Sequence, residues 1–181
     1  MKIIDELLQG TFLIAPQTFS DVRGDFVKTY HRNTWAEAGL DFAMAEEFYS
    51  TSNAGVLRGM HFQVPPHAHK KVVFCLAGSV LDVMVDLREG PTYGQVASTE
   101  LSFTNRHQLY LPEGIAHGFL SLEDESLLMY KTDTVHAPES DRGICWDSFG
   151  FDWKISHPVL SKRDGEHPSF DVFVTPFKSQ K

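Results

Sequence analysis

Residues 81–88 read Leu-Asp-Val-Met-Val-Asp-Leu-Arg, an alternation that a β-strand sorts into two faces. Leu81, Val83, Val85 and Leu87 share one face, while Asp82, Met84, Asp86 and Arg88 share the other. Residues 72–76, 108–111 and 127–132 also read as strands. Turn signals separate them: Ala77-Gly78, Glu89-Gly90-Pro91, Pro112-Glu113-Gly114 and Glu123-Asp124. Short strands at this spacing predict an all-β fold, an antiparallel sandwich or barrel. One helix is predicted before the tail, over residues 34–38, with Asn33 as its N-cap and Gly39 just past its end. After Ala137 the chain is richer in Pro, Asp and His, and it is expected to wrap the barrel with short turns and a small helix.

No repeat or linker interrupts the 181 residues, so a single domain over residues 1–181 is expected. Sixteen Lys+Arg against 24 Asp+Glu leave a net charge of −8, and no basic block offers the stripe that tracks nucleic-acid phosphates. The longest apolar runs, near residues 72–77 and 127–130, are far too short for a bilayer. Neither nucleic acid nor membrane is therefore an expected partner. The opening MKIIDELLQG carries acids where a secretion signal needs a basic start and an unbroken apolar run. Cys75 and Cys145 make no framework and no CxxC pair, which fits a reducing, cytoplasmic location.

Three clusters could carry chemistry: FSDVRGDF at residues 19–26, GVLRGMHFQ at 55–63 with PPHAHKK after it, and LPEGIAHGF at 111–119. A polar face turned into a barrel is costly unless the interior is wet or binds something, which draws attention to His61, Lys71 and Asp82. Each alone has an ordinary explanation as a surface lysine, a turn residue or a hydrogen-bonded core histidine. A metal reading is open too, since His67, His69 and His117 resemble the histidines of metal-binding cupins. Against it, the positions where a ligating glutamate would follow read Val72, Val73 and Phe74, and two prolines precede the pair.

The longer motifs FSDVRGDF, GVLRGMHFQVPP, KVVFCLAGSVLDVMVDLREGPTYG, LPEGIAHGFLSLEDES, MYK and WKISHPVLSKRD follow one another nearly end to end. In these the chain resembles the dTDP-4-dehydrorhamnose 3,5-epimerases, cupin-fold enzymes of nucleotide-sugar biosynthesis that need no metal or other cofactor. The resemblance implies a cupin-type jelly-roll barrel of antiparallel strands with a few short helices. It also implies a homodimer with N-terminal strands exchanged between subunits, and an isomerase making deoxysugars for surface polysaccharide, such as lipopolysaccharide O-antigen, or for glycosylated products. By position, His61 falls on the family's general base and Asp164 on the carboxylate that orients it. Lys71 falls on the lysine that supplies charge at the enolate oxygen, and Tyr130 on the acid that reprotonates from the opposite face. Lys70 is adjacent, but the distance to Gly78 favours Lys71. Arg23, Arg58 and Arg163 are expected at the diphosphate, with Phe26 and His117 also at the substrate.

Three departures concern the base. Where the family carries a glutamate, a glutamine and an asparagine near thymine, this chain has Lys28, Glu46 and Phe48. Bases are read by matched donors and acceptors, so an acceptor such as Glu46 suits the amino group of cytosine and makes a CDP-linked sugar an alternative to a dTDP-linked one. His136 replaces a tyrosine near the sugar, a change compatible with inversion at one carbon, C3 or C5. His69 stands in place of a customary glutamine.

Overall fold

A computed structural model describes residues 1–178, and two facing antiparallel sheets dominate it. The first is six-stranded, in the order β1 (Lys2–Leu8), β2 (Thr11–Ala15), β10 (Gln108–Leu111), β7 (Lys71–Ala77), β12 (Ser126–Thr132) and β5 (Glu46–Ser52). The second is five-stranded, in the order β13 (Asp141–Gly143), β6 (Leu57–Gln63), β11 (Ile115–Ser121), β8 (Ser79–Asp86) and β9 (Val96–Ser102). Both sheets draw strands from distant parts of the chain, as a jelly roll does. The strands β3 (Gln17–Asp21) and β4 (Gly24–Lys28) form a separate two-stranded hairpin.

The alternating strand behaves as its pattern requires, but neither face is left to water. Val83 and Val85 of β8, with Leu87 beyond it, point away from the lumen into a cluster with Trp153 and Phe177, so the tail after β13 covers this sheet from outside. On the other face Met84 packs in the lumen with Val73, Phe119 and Leu128. Asp86 is fully buried, where the Arg88 guanidinium meets its carboxylate at 2.6 Å and offsets the cost of burying charge.

The outer face of the six-stranded sheet is closed by Trp35, Leu40 and Phe42 packed on Ile14, Val72 and Phe74. Trp35 belongs to α1 (Arg32–Glu37), and truncating so buried a ring costs about 3–5 kcal/mol. The predicted helix exists but starts earlier than expected. His31, not Asn33, caps it, because the His31 ring accepts from the Thr34 amide and so takes the role normally given to a short polar side chain. Gly39 does follow its end, at φ +77°. The tail adds α2 (Lys162–Gly165) and a short 3-10 turn at Phe170–Val172.

Candidate active site

One end of the barrel is filled by the apolar lumen cluster, and the other opens as a cavity of about 370 Å3. His61, Arg58 and Gln63 of β6 and His117 of β11 line one wall, and Lys71 of β7, Tyr130 of β12 and Glu46, Phe48 and Ser50 of β5 line the other. His136, Asp141 and Arg163 stand around the same cavity.

A local irregularity puts Arg58 and His61 there together. Three residues apart on a regular strand, they would face opposite sides. The pairing of β6 with β11 slips between His117↔His61 and Phe119↔Arg58, so three steps on one strand match two on the other. Such a bulge re-aims side chains. Gly59 sits in it at φ +136°, and a Cβ there would lie 2.5 Å from Gly118 Cα. Glycine is required on both counts.

His61 Nε2 lies 2.7 Å from Asp164 Oδ1. Asp164 reaches it because Ser161 caps α2, its hydroxyl accepting from the Asp164 amide at 3.0 Å, in a segment that follows β6 by a hundred residues. Burial pushes the Asp164 carboxyl up, but the hydrogen bond and charge of His61, with the Gly59 amide and His167, outweigh it and hold the group below its usual range. An ionised Asp164 accepts the Nε2 proton, so Nδ1 of a neutral ring keeps its lone pair.

Lys71 is buried, and its ammonium donates to the His61 carbonyl at 3.3 Å. Burial lowers its pKa to about 8 against the upward pull of Asp141 and Asp82, so it is still mostly a cation at neutral pH. Lys70 turns the other way, to Asp41 and Asp133. The Tyr130 ring stacks on Phe48 at 4.8 Å and 13°, its hydroxyl lies 3.4 Å from Ser50 Oγ, and burial raises its pKa, keeping the phenol protonated. Beneath it, His117 Nε2 meets Asp82 Oδ2 at 2.8 Å, both side chains out of solvent. Burial lifts the Asp82 carboxyl above the usual range against the charges of His117 and Lys71.

At the mouth, the His136 amide donates to Glu46 Oε2 at 2.6 Å, and Asp141 takes both His136 Nε2, at 3.2 Å, and the Arg163 guanidinium, at 2.7 Å. The Arg58 guanidinium is held by Ser52 Oγ and the Thr51 carbonyl, both at 3.0 Å.

The cavity thus gathers His61, Lys71, Tyr130, Glu46, Phe48, Arg58, His117, His136 and Arg163, with Asp164 directly behind His61. Arg23, Phe26 and Lys28 are not brought to it within one chain. They sit on the β3–β4 hairpin, where Arg23 is 86% exposed and pairs with Asp21, and Lys28 lies over the Phe19 ring. The three-histidine metal set is not assembled either. His67 Nδ1 bonds Ser140 Oγ at 3.0 Å on the outer loop, whereas His117 is committed to Asp82. His69 lines the cavity with its ring nitrogens buried, and burial followed by the charge of Lys71 drives its pKa down to about 2. Asp82 was marked by the strand alternation but had no partner in view, since His117 follows it by 35 residues.

The dTDP-4-dehydrorhamnose 3,5-epimerase family profile matches residues 5–171. The dTDP-4-dehydrorhamnose 3,5-epimerase of Shigella flexneri is 38% identical over 96% of this chain and 100% of its own length. The dTDP-4-dehydrorhamnose 3-epimerase of Streptomyces niveus is 39% identical, covering 87% of this chain and 78% of the relative. The dTDP-6-deoxy-D-glucose-3,5-epimerase of Legionella pneumophila, solved in complex with dTDP-4-keto-L-rhamnose, superposes with a TM-score of 0.93 at 31% identity over 99% of both chains. Profile, relatives and superposition extend over nearly the whole barrel and its tail, and the chain belongs to the dTDP-4-dehydrorhamnose 3,5-epimerase family.

Proposed function

We propose that this chain epimerises a nucleotide-linked 4-keto-6-deoxyhexose at C3, C5 or both. The carrying observation is that His61 and Tyr130 stand on opposite sheets across one cavity, with Lys71 lining the same cavity from the wall of Tyr130. His61 Nδ1 takes the proton alpha to the C4 ketone, Asp164 steadies the imidazolium that forms, and the Lys71 ammonium balances the enolate oxygen. Tyr130, kept protonated by burial, returns a proton from the other face, which inverts the carbon. Arg58 and Arg163 flank the opening where a diphosphate would lie. No cofactor takes part in these steps.

The β3–β4 hairpin serves a second copy in this reading. It exposes Phe19, Val22 and Phe26 beside Arg23, an apolar and cationic surface that suits the mouth of another copy's cavity. The assembly is a homodimer in which Arg23, Phe26 and Lys28 meet the nucleotide bound by the partner. One domain over residues 1–181 carries the activity, in the cytoplasm, for deoxysugars of surface polysaccharide such as O-antigen. Among the described residues no helix is long and apolar enough to cross a membrane.

Proton NMR in deuterated water with dTDP- and CDP-4-keto-6-deoxyglucose, supplied separately, tests the reading. Deuterium is expected at C3 or C5, and His136 favours one centre over two. Glu46, an acceptor at the mouth, favours the cytidine substrate; a cytidine-to-thymidine affinity ratio near or below one sinks that preference. No exchange with either nucleotide at high enzyme sinks the epimerase reading itself, leaving a binding protein.

A further inference from the structure

Behind the proposed base lies an arrangement that proton abstraction does not use. Among the described residues, His61, Asp164 and His167 present ligand atoms that all lie within 4.8 Å of one another. His167 Nε2 is 3.6 Å from Asp164 Oδ1, too far for a hydrogen bond, and it is buried with no hydrogen-bond partner. Buried nitrogens without partners are rare in folded proteins. The ring is held in place by packing: it meets the His61 ring edge-on at 5.6 Å, and a Cβ on Gly143 would lie 2.3 Å from its Nε2. Two imidazoles and a carboxylate are a zinc donor set, and tetrahedral coordination at about 2.0–2.2 Å needs only small side-chain rotations from these separations.

We propose that His61, Asp164 and His167 form an inhibitory site for Zn2+ or a similar borderline-soft divalent cation, with water as the fourth ligand. Binding changes the tautomer of His61. The ion takes the Nε2 lone pair, so the Nε2 proton leaves to solvent and Nδ1 gains one. The nitrogen facing the sugar becomes a donor, and it no longer accepts the substrate proton. Cation binding follows from the donor set alone; the loss of activity rests on His61 being the base proposed above.

Zn2+ is titrated into the intact protein, with long-range 1H–15N spectra of the imidazoles and deuterium exchange followed together. The expected result is one ion per chain, His61 passing from Nε2–H to Nδ1–H, and exchange lost and then restored by EDTA. H167Q is expected to need at least about tenfold more Zn2+ for either change. A His61 tautomer that stays put under excess Zn2+ overturns the site, as does an H167Q protein that responds at the wild-type concentration. The spectra of the unsubstituted protein decide the matter if H167Q does not fold. A tautomer shift in an enzyme without exchange activity would keep the metal site and fault only the epimerase reading.

Discussion

The cavity holds two histidine–aspartate pairs of nearly equal length, 2.7 Å for His61–Asp164 and 2.8 Å for His117–Asp82, yet their surroundings differ. The His61 side chain is 30% exposed, and its carboxylate partner is held below the ordinary range by His61 and the Gly59 amide. The second pair is out of water altogether, and burial lifts Asp82 above the ordinary range. A carboxylate that stays charged can steady an imidazolium, as the proposed mechanism requires. One that is pushed up by burial and bonded to a buried imidazole fixes a ring beside Lys71. The same two residue types thus differ in charge through the balance of burial against hydrogen bonds and neighbouring charge, which suits His61 to the proposed role of base and His117 to positioning.

Removing the first pair should have the larger effect. H61N is expected to slow deuterium exchange by about 10³–10⁴ with the far-UV spectrum unchanged. D164N, which leaves the ring in place but no longer selects Nε2–H, should cost about 10²–10³, mostly in kcat. D82N should cost only about tenfold, because His117 and Lys71 remain and the lost carboxylate touches neither reacting carbon. Equal losses in D164N and D82N would end the distinction between the pairs.

Acid titration of stability sharpens it further. Asp164 has a lowered pKa, so its contribution is full above the unfolded value near 3.9 and is lost as the pH falls through its folded value. Asp82 has a raised pKa, so its contribution is full below about 3.9 and is lost as the pH rises through its folded value. Relative to wild type, D82N should therefore gain Tm at pH 7 compared with pH 4, whereas the Tm deficit of D164N should stay nearly constant from pH 7 to pH 4 and shrink only as the pH falls below about 4; Tm series taken through both windows check the two signs. A smaller effect falls on Lys71: with its pKa near 8, exchange should decline as pH rises above 8, and K71R should move that limb upward.

Much of this was legible in the residues. The alternation at 81–88 placed a strand and its two faces, and the distance from Lys71 to Gly78 chose the lysine that lines the cavity, because β7 sends Lys71, Val73 and Cys75 to one side. What escaped was set by tertiary context. Arg58 and His61 share a face only through the Gly59 bulge, which no period-two reading contains. The strands β3 and β4 carry few alternating apolar residues, since their hairpin is largely exposed, and their site residues lie away from this chain's own cavity. His167 carried no spacing signal; only the capped turn at Ser161 brings it beside His61.

The separation of 103 residues between His61 and Asp164 has a consequence for synthesis. The histidine is translated about a hundred residues before its carboxylate. A ribosome-bound chain with its barrel strands already emerged still lacks the carboxylate that bonds the His61 ring, and Val83, Val85 and Leu87 still lack their Trp153 and Phe177 cover. Folding completeness and chemical competence therefore arrive together with the tail. A prematurely terminated product would be inert towards sugar nucleotides and would present a greasy sheet to the cell's proteases, so failed copies mark themselves for removal.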